Sequence, residues 1–230
     1  MHGDSAKVSN CLWNMVNDTY LNLSHYLQCL VRFWHSCQVS RLRIFKVIRL
    51  PLRALFSLMR KFKDLRVVYL VRDPRAVLMS QAAHFGHAPK PEDYCGMVLD
   101  DARHMELLRE AFPGRSVTVR YEDICNDPLQ WTRRLYRALE LTMTPRVEGS
   151  VRRMTSATGV KEGVYTSFRS DSREAANKWR TKISYAVVQR VDAVCEEVYK
   201  WLGYKAVPSE TVLRNSNVSM TGPSHRVPLL

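Results

Sequence analysis

No apolar run in the chain approaches the eighteen or so residues that a membrane helix needs, and the first residues lack a signal-peptide core. As written, the chain shows no way into the secretory pathway. The six cysteines (Cys11, Cys29, Cys37, Cys95, Cys125 and Cys195) form no CxxC and no His/Cys pair at ligand spacing, which argues against zinc. Buried free thiols and one or two disulfides stay equally open. Glycine is nearly absent from the first third, where only Gly3 precedes Gly86. No G-x-x-x-x-G-K-[ST] occurs, which disfavours a P-loop kinase. Internal repeats are missing as well. What is present, 46% hydrophobic residues in a chain of 230, suits one ordinary domain and excludes disorder, collagen and coiled coil.

Acidic residues are also scarce, so the net charge is +13. Residues 32–75 concentrate the imbalance, with twelve Lys or Arg against only Asp64 and Asp73. A basic block implies an anionic partner: nucleic acid, acidic lipid, or a phosphorylated or sulfated small molecule. Because this block reads as apolar strand and helix rather than as a solvated arm, a buried anion site is favoured over nucleic acid. Three N-x-[ST] triplets, at Asn17, Asn22 and Asn217, lean towards a secretory lumen and so conflict with the absent leader.

Periodicity divides the chain into a poorly defined helical segment over 1–31, a main domain over 32–207 and a polar tail over 208–230 that is expected to be disordered. In the first segment Tyr20, Leu23, Leu27, Leu30, Val31 and Trp34 share one helical face. Ile44–Leu50 reads as a short buried strand, and Pro51 as the first residue of a helix carrying Leu52, Leu55, Phe56 and Met59. Leu65–Val71 is the strongest strand, and Asp73-Pro74 ends it and opens a helix. A helix over 92–112, closed by Pro113-Gly114, precedes a third strand, Ser116–Tyr121. Asp127-Pro128 starts the next helix, 155–172 is an irregular loop, and 173–202 is helical up to Gly203. Strands alternating with helices predict an α/β fold with a parallel central sheet flanked by helices.

The chemistry concentrates in Leu70-Val71-Arg72-Asp73-Pro74-Arg75-Ala76-Val77, with Ser80 eight residues after Arg72. Ligands of open α/β sheets bind at the carboxyl ends of strands, where an arginine beside a helix N-terminus can grip a phosphate bidentately. The same residues would equally serve as a structural ion pair between Arg72 and Asp73. The third strand ends in Arg120-Tyr121-Glu122-Asp123, with an aromatic that suits either the core or a base platform. Further on, Trp179 reads as a core anchor and Arg180 as a solvated charge.

These segments resemble sulfotransferases that use 3′-phosphoadenosine 5′-phosphosulfate (PAPS). LVRDPRAV followed by Ser80 is similar to that family's 3′-phosphate-binding motif, and RYEDI with Asp127-Pro128 to the segment after its next strand. Asn177-Lys178-Trp179-Arg180, Cys195 and Trp201-Leu202-Gly203-Tyr204 resemble the end of the branch that sulfates the 6-hydroxyl of N-acetylglucosamine or galactose. The resemblance implies a P-loop-NTPase-like sulfotransferase fold, with Arg72 and Ser80 holding the 3′-phosphate and Tyr121 near adenine. It implies PAPS as donor substrate, no metal, and a glycan acceptor such as keratan sulfate on a glycoprotein or proteoglycan. The setting it implies is the Golgi lumen, with a membrane anchor only in a full-length form. Lys46 and Arg49 are the candidates for catalytic contact with the sulfonate or acceptor. Ser80-Gln81 stands where many relatives have Ser-Arg. Nothing before Gly86 resembles the family's 5′-phosphosulfate loop, so an N-terminally truncated chain lacking the first strand is expected, with an exposed sheet edge and poor solubility. The rival expectation is a catalytically inactive relative that keeps part of the binding surface.

Overall fold

The computed structural model describes residues 23–48, 50–159, 168–224 and 228–230. The chain divides into two compact units, residues 1–50 and 51–230. In the first, helix α1 spans Leu23–Val39. Its apolar residues Leu27, Val31 and Trp34 stand exposed, Trp34 at 67%. Cys29 is buried and disulfide-bonded.

The run after α1 corrects an expectation. Residues 42–47 form no strand, and Ile44, Phe45, Val47 and Ile48 are all exposed, Ile44 at 83%. High β-propensity describes a side chain that fits a pleated, half-buried surface; without a pairing edge and a covering layer it makes no strand.

The second unit opens with a 3-10 turn at Leu52–Ala54 and helix α2, Leu55–Lys61. Strand β1, Val67–Val71, follows, and then α3, Pro74–Phe85, and α4, Pro91–Ala111. Strand β2, Ser116–Arg120, runs directly into α5, Tyr121–Asn126. Helices α6, Pro128–Ala138, and α7, Pro145–Thr155, form a hairpin. The expected single helical stretch over 173–202 is four pieces: α8, Ser172–Asn177; α9, Trp179–Lys182; α10, Tyr185–Val194; and α11, Glu196–Leu202. Residues 208–224, expected to be a disordered tail, instead carry α12, Glu210–Arg214, with Leu213 fully buried.

Asp-Pro steps set two of these helices. Asp73 and Asp127 cap α3 and α6 through their carboxylates, which accept from the backbone N–H of Arg75 and Gln130, with Pro74 and Pro128 in the first turn. Gly203 ends α11 in the left-handed region at φ 73°, as a glycine stop requires.

β1 and β2 pair in parallel, from Val67 opposite Ser116 to Val71 opposite Arg120. The fold is therefore α/β, with α3 and α4 as the crossover between parallel strands. On β1 the burial alternates. Val67 and Val71 are buried, whereas Val68 and Leu70 are exposed at 41% and 56%. Among the described residues β1 pairs only with β2, so its other edge carries no strand.

Three apolar clusters fill this unit. The largest joins Val71 and Leu78 to Val98, Ala102, Val191, Val198 and Leu202 around the Cys95–Cys195 disulfide. A second gathers Ala76, Trp179, Ile183, Val188, Leu213 and Met220. The third sets Leu52 and Met59 against Val67, Met105 and Leu108. Trp179 is a core anchor as expected. Arg180 is not solvated. It is 3% exposed, and its guanidinium donates to the carbonyls of Val212, Leu213, Asn215 and Val218 at 2.5–2.9 Å. Arg214 donates back to the carbonyls of Arg180 and Ile183. These bonds order residues 208–224, because a buried guanidinium needs acceptors and this segment supplies four carbonyls.

Candidate functional site

Parallel register decides which side chains meet. Val71 opposite Arg120 is the last rung, so the next residue on each strand, Arg72 and Tyr121, leaves the sheet at the same carboxyl end. The Arg72 guanidinium lies over the Tyr121 ring, 4.7 Å from its centroid. Two residues 49 positions apart in sequence thus form one surface at the sheet end where α/β proteins bind ligands.

The two arginines of the Arg-Asp-Pro-Arg segment have opposite fates. Arg75 is fully buried and wholly engaged. Its Nε and Nη2 donate to the two oxygens of Asp73 at 2.9 and 2.8 Å, and its Nη1 donates to Asp192 at 3.0 Å. The rings of Trp179 and Tyr199 each lie 5.0 Å from its guanidinium. Burial works against this charge, but Asp73 first, and then Tyr199 and Asp192, hold it above its ordinary pKa. The ion pair expected between Arg72 and Asp73 is therefore made by Arg75. Arg72 is half-buried, and its Nε is enclosed with no hydrogen-bond partner among the described residues. An enclosed guanidinium donor without an acceptor is the feature that an anionic ligand would complete.

Behind this pair sit groups with displaced pKa values, as functional sites often show. Glu122 accepts from the Asp73 backbone N–H and from the Tyr204 hydroxyl, both at 3.0 Å. Burial, then the nearby Asp73 charge, raises its carboxyl to about 7. Burial pushes the Tyr94 and Tyr121 hydroxyls up to about 12, in both cases against the pull of Arg72. Cys125, a buried free thiol hydrogen-bonded to Tyr121, is raised by burial too. The charge of Arg169 reaches Tyr121 and Cys125, so the segment after α7 also borders the site.

Glu122 has a testable consequence. Its folded pKa lies above the ordinary 4.5, so between those values the folded chain holds a proton that the unfolded chain has released. Stability is therefore lost as pH rises from about 5 to 8, by on the order of 3 kcal/mol. Glu122→Gln is expected to flatten that part of the profile in urea melts at pH 5 and pH 8. An unchanged slope would show that Glu122 does not titrate there.

The remaining candidates are less gathered. Ser80 lies on α3, half-buried, and makes no hydrogen bond to Arg72 or Tyr121. Lys46 is exposed in the irregular run of the 1–50 unit, and Arg49 lies outside the described residues. Sequence reasoning assigned no role to Tyr94, Cys125 or Arg169. Of the nearby groups only Glu122 had a signal, its place beside Tyr121 in the second motif.

An arginine with an enclosed, unpartnered Nε, stacked on an aromatic at the carboxyl end of two parallel strands, defines an α/β protein with a candidate anion site. The chain belongs to the sulfotransferase family, whose match covers residues 15–145. It is 33% identical over 178 residues to carbohydrate sulfotransferase 3 of Homo sapiens, covering 68% of this chain and 37% of that protein. It is 31% identical to carbohydrate sulfotransferase 1 of Danio rerio, over 85% of this chain and 52% of that protein. To carbohydrate sulfotransferase 5 of Homo sapiens it is 30% identical, over 70% of this chain and 46% of that protein. The chain thus spans between about a third and a half of the length of these relatives.

Proposed function

We propose that this chain forms the nucleotide-binding part of an enzyme that transfers a sulfonate group from PAPS to a carbohydrate hydroxyl. The acceptor we favour is the 6-hydroxyl of N-acetylglucosamine or galactose in a glycan such as keratan sulfate. The observation that carries the reading is the Arg72–Tyr121 pair at the strand ends, with an enclosed Arg72 Nε that lacks an acceptor. Arg72 would grip the donor's 3′-phosphate, and Ser80 would add a hydroxyl from α3. Tyr121 would lie against adenine. Each guanidinium nitrogen of Arg75 already donates to a carboxylate, so Arg75 would instead hold Asp73, and through it the turn that presents Arg72. Lys46 and Arg49 are the proposed contacts to the sulfonate or acceptor.

PAPS supplies an activated sulfonate whose bond to the 5′-phosphate breaks as the acceptor oxygen bonds to sulfur. The Cys95–Cys195 disulfide suits an oxidising compartment and supports a Golgi lumen setting. No helix among the described residues is long and apolar enough to cross a membrane, so any anchor would belong to sequence outside them.

Labelled PAPS incubated with the chain and a glycan acceptor tests the reading. Label is expected on the acceptor once the chain is joined to the upstream sequence of a full-length relative, and should be lost with Arg72→Ala. A folded chain that binds the donor product but transfers no label would instead be a nucleotide-binding relative without activity.

A further inference from the structure

Arg72 and Tyr121 stand one residue beyond the last rung of the ladder, so strand pairing alone does not fix them. The residues that follow them are joined directly. The Asp73 backbone N–H donates to Glu122 Oε1 at 3.0 Å, which makes an extra rung where the backbone ladder has ended. Arg72 is thereby held between Val71, paired in the sheet, and Asp73, while Tyr121 is held between Arg120 and Glu122. The Glu122 carboxylate is anchored from behind as well. Its Oε2 accepts from the Tyr204 hydroxyl at 3.0 Å, and Tyr204 is buried directly after the Gly203 stop of α11. Arg120 fixes that corner, donating through Nη1 to the carbonyls of Leu202, Gly203 and Gly222 at 2.7–3.1 Å and through Nε and Nη2 to Asp123. A Cβ at Gly203 would come within 2.6 Å of this Nη1, so the approach requires glycine. Among the described residues no lysine or arginine pairs with the Glu122 carboxylate, so an ion pair does not account for it.

We propose that Glu122 is a positioning residue of the donor site, setting the spacing of the Arg72 guanidinium and the Tyr121 ring and so the selection of a nucleotide with a 3′-phosphate. The inference rests on the donor-site reading above and adds the residue that makes its two motifs one site. A guanidinium fork grips a phosphate bidentately only in a narrow geometry, and a shift of about 1 Å forfeits much of the gain. Without the Glu122 bond, Asp73 still caps α3 and still holds Arg75 through its carboxylate. The turn that carries Arg72 would, however, no longer be tied to α5. The damage would fall on fit rather than on fold. The competing role is to satisfy the Asp73 N–H and the Tyr204 hydroxyl and nothing more. In that case loss of the carboxylate lowers stability and weakens all nucleotides alike.

The test is the ratio of affinities for adenosine 3′,5′-bisphosphate and adenosine 5′-monophosphate, measured by calorimetry on the full chain and its variants. This ratio does not depend on how much of a variant is folded, so it separates placement from stability. Glu122→Ala is expected to lower it roughly tenfold. Glu122→Gln keeps both bonds, its amide oxygen accepting from Asp73 and its amide nitrogen donating to the Tyr204 oxygen, and should stay within about twofold of wild type. Tyr204→Phe removes only the rear anchor and should lower the ratio about threefold, which serves if the alanine variant melts early. Wild type that does not discriminate between the nucleotides removes the donor site, and the positioning role with it. Wild type that discriminates, with an unchanged ratio in Glu122→Ala and Tyr204→Phe, overturns the positioning role alone. So does a loss in Glu122→Gln as large as that in Glu122→Ala.

Discussion

Replacing Arg75 with alanine is expected to cost the fold about 3–5 kcal/mol, whereas Arg72→Ala, three residues away, should cost about 1 kcal/mol or less. The difference follows from their surroundings. Removing the Arg75 guanidinium leaves Asp73, itself 1% exposed, with no cation for either carboxylate oxygen. Asp192 loses its only arginine, although Tyr199 and the Val207 backbone N–H still donate to it at 2.7 Å. The space between the Trp179 and Tyr199 rings would also be left without its occupant. Isolated buried carboxylates must then be protonated or hydrated, and either costs free energy. Among the described residues Arg72 makes no ion pair or hydrogen bond, and its direct contact is the stacking on Tyr121. In thermal melts Arg75→Ala should fall by roughly 10 °C or more, while Arg72→Ala stays near wild type. Equal melting points would contradict the division of the motif into a structural and a ligand-binding arginine.

Loss of the Cys95–Cys195 bridge is the second large effect expected. It ties α4 to the junction of α10 and α11 across 100 residues of sequence, and both sulfurs lie in the largest apolar cluster. Closing a loop of that size removes unfolded-state entropy worth about 4–5 kcal/mol on the chain-entropy account. Cys195→Ala should therefore lower the melting temperature by roughly 10–20 °C. Reduced wild type should move the same way, whereas reduction of the variant leaves only the Cys29 disulfide of the first unit to break. If the variant melts with oxidised wild type, the bridge does not stabilise the native chain.

Much of this arrangement was legible in the residues. VVYLV and SVTVR announce β1 and β2 through β-branched and aromatic content, and Asp73-Pro74 and Asp127-Pro128 mark the helix starts that follow. What escaped depended on distant partners. Ile44–Leu50 has strand composition, yet residues 42–47 make no ladder, and ladders are made by two segments rather than one. Arg180 looks like a surface charge until four carbonyls from residues 212–218 converge on it. Those same bonds, with Leu213 and Met220 buried, give structure to a stretch whose polar composition suggested none. At the site, Arg72 and Tyr121 were found through their motifs. Tyr94 and Arg169 were not, because they come from other elements and carry no local pattern.

The central claim is that the Arg72–Tyr121 surface receives the 3′-phosphate of a sulfonate donor, and calorimetric binding of adenosine 3′,5′-bisphosphate tests it most directly. Wild type should bind it, adenosine 5′-monophosphate should bind far more weakly, and Arg72→Ala should lose roughly 30-fold or more of the bisphosphate affinity. Folded wild type that fails to discriminate between the two nucleotides, or an Arg72→Ala chain that still does, would contradict the account.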